Sequence, residues 1–127
     1  MPLRWKISHD ERLVTVTTDG PITLRDVEAY FDAVVVANAQ PYAKLFDASG
    51  MVAELSDDDM MAIGARMSAY VRDQGQPGGP AAFVVTTGVA LEFIERYLNL
   101  MPSSRQAKIC GTVDEAHRWL EEQVRPE

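Results

Sequence analysis

The chain has 127 residues, 46% of them hydrophobic and 24% charged, with a formal net charge of −7. This is the size and composition of one folded domain, here residues 1–127, with enough apolar content for its own core. The acidic balance, 12 basic against 19 acidic side chains, excludes the positive footprint that nucleic acids and anionic membranes require.

LRWKIS (3–8) alternates between apolar and polar residues and predicts a strand. HDE (9–11) is a tight polar turn, and RLVTVTT (12–18), rich in β-branched residues, completes a hairpin. Asp19-Gly20-Pro21 should end that strand, because Gly and Pro break the ladder. Thr23 and Asp26 have capping-box spacing, and Leu24, Val27, Phe31, Val34 and Val35 follow at helical intervals. Val34-Val35-Val36 has poor helix propensity, so this helix depends on packing and should end near Asn38.

YAKLFDA (42–48) predicts the third strand. Ser56 then opens a helix with Asp57, Asp58 and Asp59 in its first turn. Met60, Ile63, Gly64, Met67 and Val71 form its inner face, and Gly75 is its natural stop. AAFVVT (81–86) has the continuous apolar character of a central parallel strand. A helix from Val89 to Met101 stops at Pro102, and RQAKIC (105–110) is the last strand. Thr112 and Glu115 cap a final helix whose Ala116, Trp119 and Leu120 face inward.

The order β-β-α-β-α-β-α-β-α implies an α/β fold. Its mixed five-stranded sheet has an N-terminal antiparallel hairpin followed by parallel strands joined through right-handed crossovers. This order resembles the SpoIIAA-like, STAS-type fold of anti-sigma factor antagonists. Two stretches carry the resemblance: Phe46-Asp47-Ala48-Ser49-Gly50-Met51 between the third strand and the next helix, and ICGTVDEAHRWLEE (109–122) at the end. The second is similar to the closing strand and helix of small STAS/SEC14-type bacterial proteins. The resemblance implies a regulatory module. It also implies, as an alternative, a phospho-switch that binds a kinase-like partner at the Ser49 loop. In the antagonists the phosphorylated hydroxyl directly follows the aspartate; that position here is Ala48, and Ser49 matches the second hydroxyl position.

Ser49 as a hydrolase nucleophile is a further alternative, needing an imidazole base and an oxyanion hole. His9 belongs to the hairpin turn at the far end of the sheet, His117 should lie nearer to Ser49, and no G-x-S-x-G elbow is present. No residue is therefore assigned a catalytic role. Consecutive helical residues point apart, so Asp57, Asp58 and Asp59 read as a dipole-complementing first turn, with no metal site expected. The three small, hydroxylated strand ends are a candidate anion or ligand cradle: Asp47, Ser49 and Gly50; Thr86, Thr87 and Gly88; Gly111 and Thr112.

Cys110 is the single cysteine, read as an inert small hydrophobe. Met1–Val14 has no signal-peptide run, and no stretch reaches the ~18 apolar residues of a membrane span, so a cytoplasmic protein is expected. The helix at 89–101 is apolar over more arc than one sheet face needs. Met51, Leu55, Leu91, Leu98 and Met101 are thus candidates for covering a second copy, a protein partner or an apolar small molecule. No cofactor is expected. The leading expectation is a non-enzymatic regulatory or small-ligand-binding module that forms a homodimer.

Overall fold

In the computed structural model the described residues are 3–74, 79–100 and 106–124. Five strands and four helices follow in the expected order: β1 (Leu3–Ser8), β2 (Leu13–Ile22), α1 (Leu24–Val36), β3 (Ala43–Ala53), α2 (Asp57–Gln74), β4 (Ala81–Val84), α3 (Gly88–Leu100), β5 (Ala107–Cys110) and α4 (Val113–Val124). Spatial order equals chain order, β1-β2-β3-β4-β5. β1 and β2 pair antiparallel and every later pair is parallel.

A sheet laid down in chain order has one consequence for the helices. Right-handed crossovers between successive neighbours all fall on the same side. α1, α2 and α3 accordingly share one face, where Val14, Val16, Phe83, Tyr30, Phe31, Ile63, Ile94 and Tyr97 are buried in one cluster. α4 follows the last strand, crosses to the other face and buries Ala116 and Leu120 against Ala43, Leu45, Ala82, Val84 and Cys110. The register shows this period-two division: Val16 pairs with Phe46 and Phe46 with Phe83 on the three-helix side, while Thr15, Leu45 and Ala82 pair on the other. β4 is buried at all four residues, as a central parallel strand must be.

The helix ends follow the sequence signals. Thr23 and Asp26 form a reciprocal capping box. Asn38, in the left-handed region at φ 55°, closes α1. Its N–H donates to the Val35 carbonyl and that of Ala39 donates to the Val34 carbonyl, the two bonds of a Schellman turn. Ser56 and Asp59 make a second box at 3.1 Å in both directions. Arg66 on α2 reaches Glu28 and Asp32 on α1, and Arg96 on α3 reaches Asp57 on α2, so ion pairs tie the three-helix layer laterally. Gly75, Pro102, Met101 and the side chain of Val71 lie outside what the structure describes.

Two expected boundaries are corrected. Asp19-Gly20-Pro21 does not end β2, and the segment after Ala48 is not a loop: β2 runs to Ile22 and β3 to Ala53, pairing Gly20 with Met51 and Pro21 with Val52. The cause lies in β1, whose first residue, Leu3, pairs with Thr18. Beyond that point, among the described residues, β2 pairs on one side only, where a proline without an N–H is tolerated. Gly20, at φ 100°, absorbs the bend. The ladder also slips: Thr17 to Asp19 on β2 spans Asp47 to Gly50 on β3, so β3 carries one extra residue as a bulge.

Gly50 is fixed by that bulge. A Cβ there would lie 2.6 Å from the Thr18 carbonyl oxygen, whereas one at Gly88 would meet nothing within 4 Å. Gly50→Ala is expected to cost about 1–3 kcal/mol in urea unfolding, with Gly88→Ala within about 0.5 kcal/mol of the parent.

Candidate functional site

The bulge turns one short stretch of β3 to two sides at once. Ala48, 2% exposed, and Met51, 8% exposed, point into the three-helix core. Ser49 and Gly50 between them are exposed. The Ser49 hydroxyl donates to Asp47 Oδ1 at 2.5 Å, and the Ser49 N–H donates to the same oxygen at 3.0 Å. The Thr18 hydroxyl donates to the Asp47 carbonyl at 2.9 Å and fastens the turn to β2. Ser49 is thus held by a carboxylate that accepts its proton in a hydrogen bond, in the open.

No imidazole completes this pair. His9 Nδ1 lies 2.8 Å from the Tyr42 hydroxyl beside the hairpin turn. His117 lines a cleft of about 620 Å³ with Asp10, Glu11, Arg12 and Tyr42, at the amino ends of β2 and β3. This corrects the expectation that His117 lies nearer to Ser49. α4 runs back along the sheet, and its Ala116 and Leu120 already belong to the cluster of Ala43 and Leu45 in the first half of β3. From Ala43, which lines that cleft, to Ser49 the strand rises roughly 20 Å. A general base must come within about 3 Å of the hydroxyl it activates.

The other strand ends divide. Thr86, Thr87, Gly88 and Gly111 share a shallow groove of about 390 Å³ with Leu91 and Cys110, and Asp47, Ser49 and Gly50 are not part of its lining. Several polar groups at these strand ends are engaged internally. Thr87 Oγ1 accepts from the Ala90 N–H at 3.1 Å, and Thr112 Oγ1 from the Glu115 N–H at 3.1 Å. The Gly111 N–H donates to Glu115 Oε2 at 3.0 Å, which puts a carboxylate where an anion would have to bind. Among the described residues no three His, Cys, Asp or Glu side chains converge to hold a metal ion. Asp57 pairs with Arg96, and the Asp59 carboxylate accepts from the Ser56 N–H in the box that caps α2.

The apolar candidates separate as well. Leu55 and Leu98 pack against the three-helix core. Leu91, 38% exposed, and Val89, 64% exposed, remain at the surface of α3. The wide apolar arc of this helix is therefore taken up mainly by its own domain, with Phe93 and Leu100 also packed inward. Met51 lines a cavity of about 60 Å³ between the sheet and α1, α2 and α3, together with Ala48, Tyr30, Phe46, Phe83, Ile63 and Ile94. Sequence periodicity assigns these residues to the core and carries no signal for the gap between them, because incomplete filling depends on shapes that only packing sets.

The cleft beside the hairpin was likewise outside the sequence reading. Tyr42 is its centre: the ring meets His9 edge-on at 5.7 Å between centroids, and the Arg12 guanidinium lies 5.8 Å from its own. Arg12 itself is in the left-handed region at φ 53°, where it closes the hairpin.

Against this geometry the comparisons with solved structures read clearly. An uncharacterised protein of the DUF3478 family with a SpoIIAA-like fold from Shewanella loihica PV-4 superposes with a TM-score of 0.60 at 19% identity, covering 93% of this chain and 91% of that one. An anti-sigma factor antagonist from Mycobacterium paratuberculosis superposes with a TM-score of 0.56 at 18% identity, covering 94% and 92%. No family model matches the sequence, and no curated protein matches it. The chain has the SpoIIAA-like fold that its element order predicted. No helix among the described residues is long and apolar enough to cross a membrane.

Cys110 is 3% exposed. Burial first, then the Glu115 carboxylate, pushes its thiol above the ordinary value of 9.0, with Lys108 opposing. The native state therefore keeps the proton that the unfolded chain gives up more readily. This contribution to stability is complete below 9.0 and disappears as the pH climbs through the higher native value. At pH 8 a thiol-reactive disulfide reagent is expected to label Cys110 at least tenfold faster in urea than in buffer.

Proposed function

We propose that the chain is a non-enzymatic regulatory module that docks a protein partner on the outward side of the β3 bulge, around Asp47, Ser49 and Gly50. One observation supports this above the others: an exposed serine held by two hydrogen bonds to a single carboxylate. Such a pair presents fixed polar geometry to a partner at little entropic cost. Val52, 47% exposed on the same strand, adds an apolar contact beside it. The solved anti-sigma factor antagonist of the same fold makes partner binding a coherent role for this architecture. The absence of an imidazole from the Ser49 hydroxyl's hydrogen bonds weighs against the hydrolase alternative.

A phospho-switch is the second reading, favoured by the exposure of the Ser49 hydroxyl and by what it touches. A phosphoryl group on Ser49 would stand against the Asp47 carboxylate that now holds it. The repulsion would open the turn and reshape the docking face. Ala48, the residue at the antagonists' phosphorylated position, lies buried beneath. Self-association is supported only by the exposed pair Val89 and Leu91 on α3. That patch is small for a stable homodimer.

A photo-crosslinking residue placed at Ser49 is expected to capture one partner in the native host, and Asp47→Arg to abolish that capture. The same residue placed at Val36, 83% exposed, should capture nothing comparable. Equal capture at both positions, or ester hydrolysis that Ser49→Ala removes, overturns the docking reading. Ser49→Ala should change unfolding stability by less than about 0.5 kcal/mol. Intact-mass analysis of host-derived protein reports the switch directly, through the added mass of a phosphoryl group that Ser49→Ala eliminates.

A further inference from the structure

The cavity between the sheet and its three helices plays no part in partner docking. We propose that it is a binding site for one small, uncharged, apolar molecule, no larger than a single six-membered ring. The lining sets the chemical class. Fourteen residues surround the space; none carries a charge or a side-chain amide, and Thr18, Tyr30 and Tyr97 bring the hydroxyls. The Thr18 hydroxyl is committed to the Asp47 carbonyl. A ligand bearing a charge or an amide would leave its hydration behind and find no charged or amide group to replace it. Apolar spaces of this kind are poorly occupied by water and accept hydrocarbon.

Volume and shape set the size. The space of about 60 Å³ is smaller than the ~150 Å³ that admits benzene, so it takes about three or four carbon atoms as it stands. Met51 is the unbranched, adaptable side chain in the lining, and a ring would require it to rotate aside. The facing surface suits a flat occupant: Phe46 and Phe83 stack at 4.8 Å with 8° between their planes, and Tyr30 meets Phe46 edge-on at 5.7 Å. Position agrees with chemistry. Ala48 and Met51 lie toward the carboxyl end of β3 and Ile22 at the end of β2, the end of a parallel sheet where ligands enter.

The test uses the whole chain with benzene and cyclohexane as probes and benzoate as the charged control. Titration followed by methyl NMR is expected to give saturable shifts confined to Ile22, Met51, Ile63 and Ile94, with a rise in Tm and no response to benzoate. Ala48→Leu, which fills the space, should weaken probe affinity at least tenfold. Shifts that do not saturate, that appear equally with benzoate, or that centre on exposed Met61 and Val89 overturn the proposal. So does unchanged affinity in folded Ala48→Leu. If that variant does not fold, the methyl map of the parent protein decides alone.

Discussion

The parallel pairing of β2 with β3 is the contact on which the rest of this molecule depends. It is the longest ladder in the sheet, from Leu13 with Ala43 to Ile22 with Ala53. Its first half sets which residues face the three helices and which face α4. Its second half, past the slip between Thr17 and Asp19, carries the chain beyond the first residue of β1. The extra residue of the bulge lets Ala48 and Met51 both point inward while Ser49 stays outside. A continuous ladder without the bulge would place Ala48 and Met51 on opposite faces, since strand side chains alternate.

A second theme is how thoroughly the chain satisfies its own polar ends. Asp47, Asp59 and Glu115 each place a carboxylate oxygen on a backbone N–H, at the β3 bulge, a helix start and a strand end respectively. Asp57 spends its charge on Arg96. Lys44, though 5% exposed, donates to the carbonyls of Gln40 and Tyr42 at 2.6 and 2.9 Å. An acidic protein arranged this way offers few unused donors to an anion, which is why the small hydroxylated strand ends act as caps. The acidic residues that look like a cluster in sequence are distributed among separate structural tasks.

Much of the fold was legible because local signals and tertiary demands agree. Thr23 with Asp26, Ser56 with Asp59, and Thr112 with Glu115 mark three helix starts by spacing alone. The continuous apolar run at Ala81–Val84 announces a central strand, and Asn38 takes the left-handed position that ends α1. The misread boundary at Asp19-Gly20-Pro21 has a non-local cause. Whether a proline ends a strand depends on whether a neighbour needs its missing N–H, and the place where β1 begins beside β2 is not written near Pro21. His117 was misplaced for a similar reason, because the direction of α4 relative to the sheet emerges only from packing. The site at Ser49 was legible in composition and not in form: the residues were evident, while their burial to two sides of a bulge was not.

The margins of the sheet carry a further consequence. At one border, β1 projects Arg4 and Lys6 outward; at the other, β5 projects Lys108. In a chain whose net charge is −7, these cations stand at the two places where unpaired backbone could recruit another strand. Two molecules approaching border to border bring positive charge against positive charge. Open sheets resist fibrillar stacking by this means.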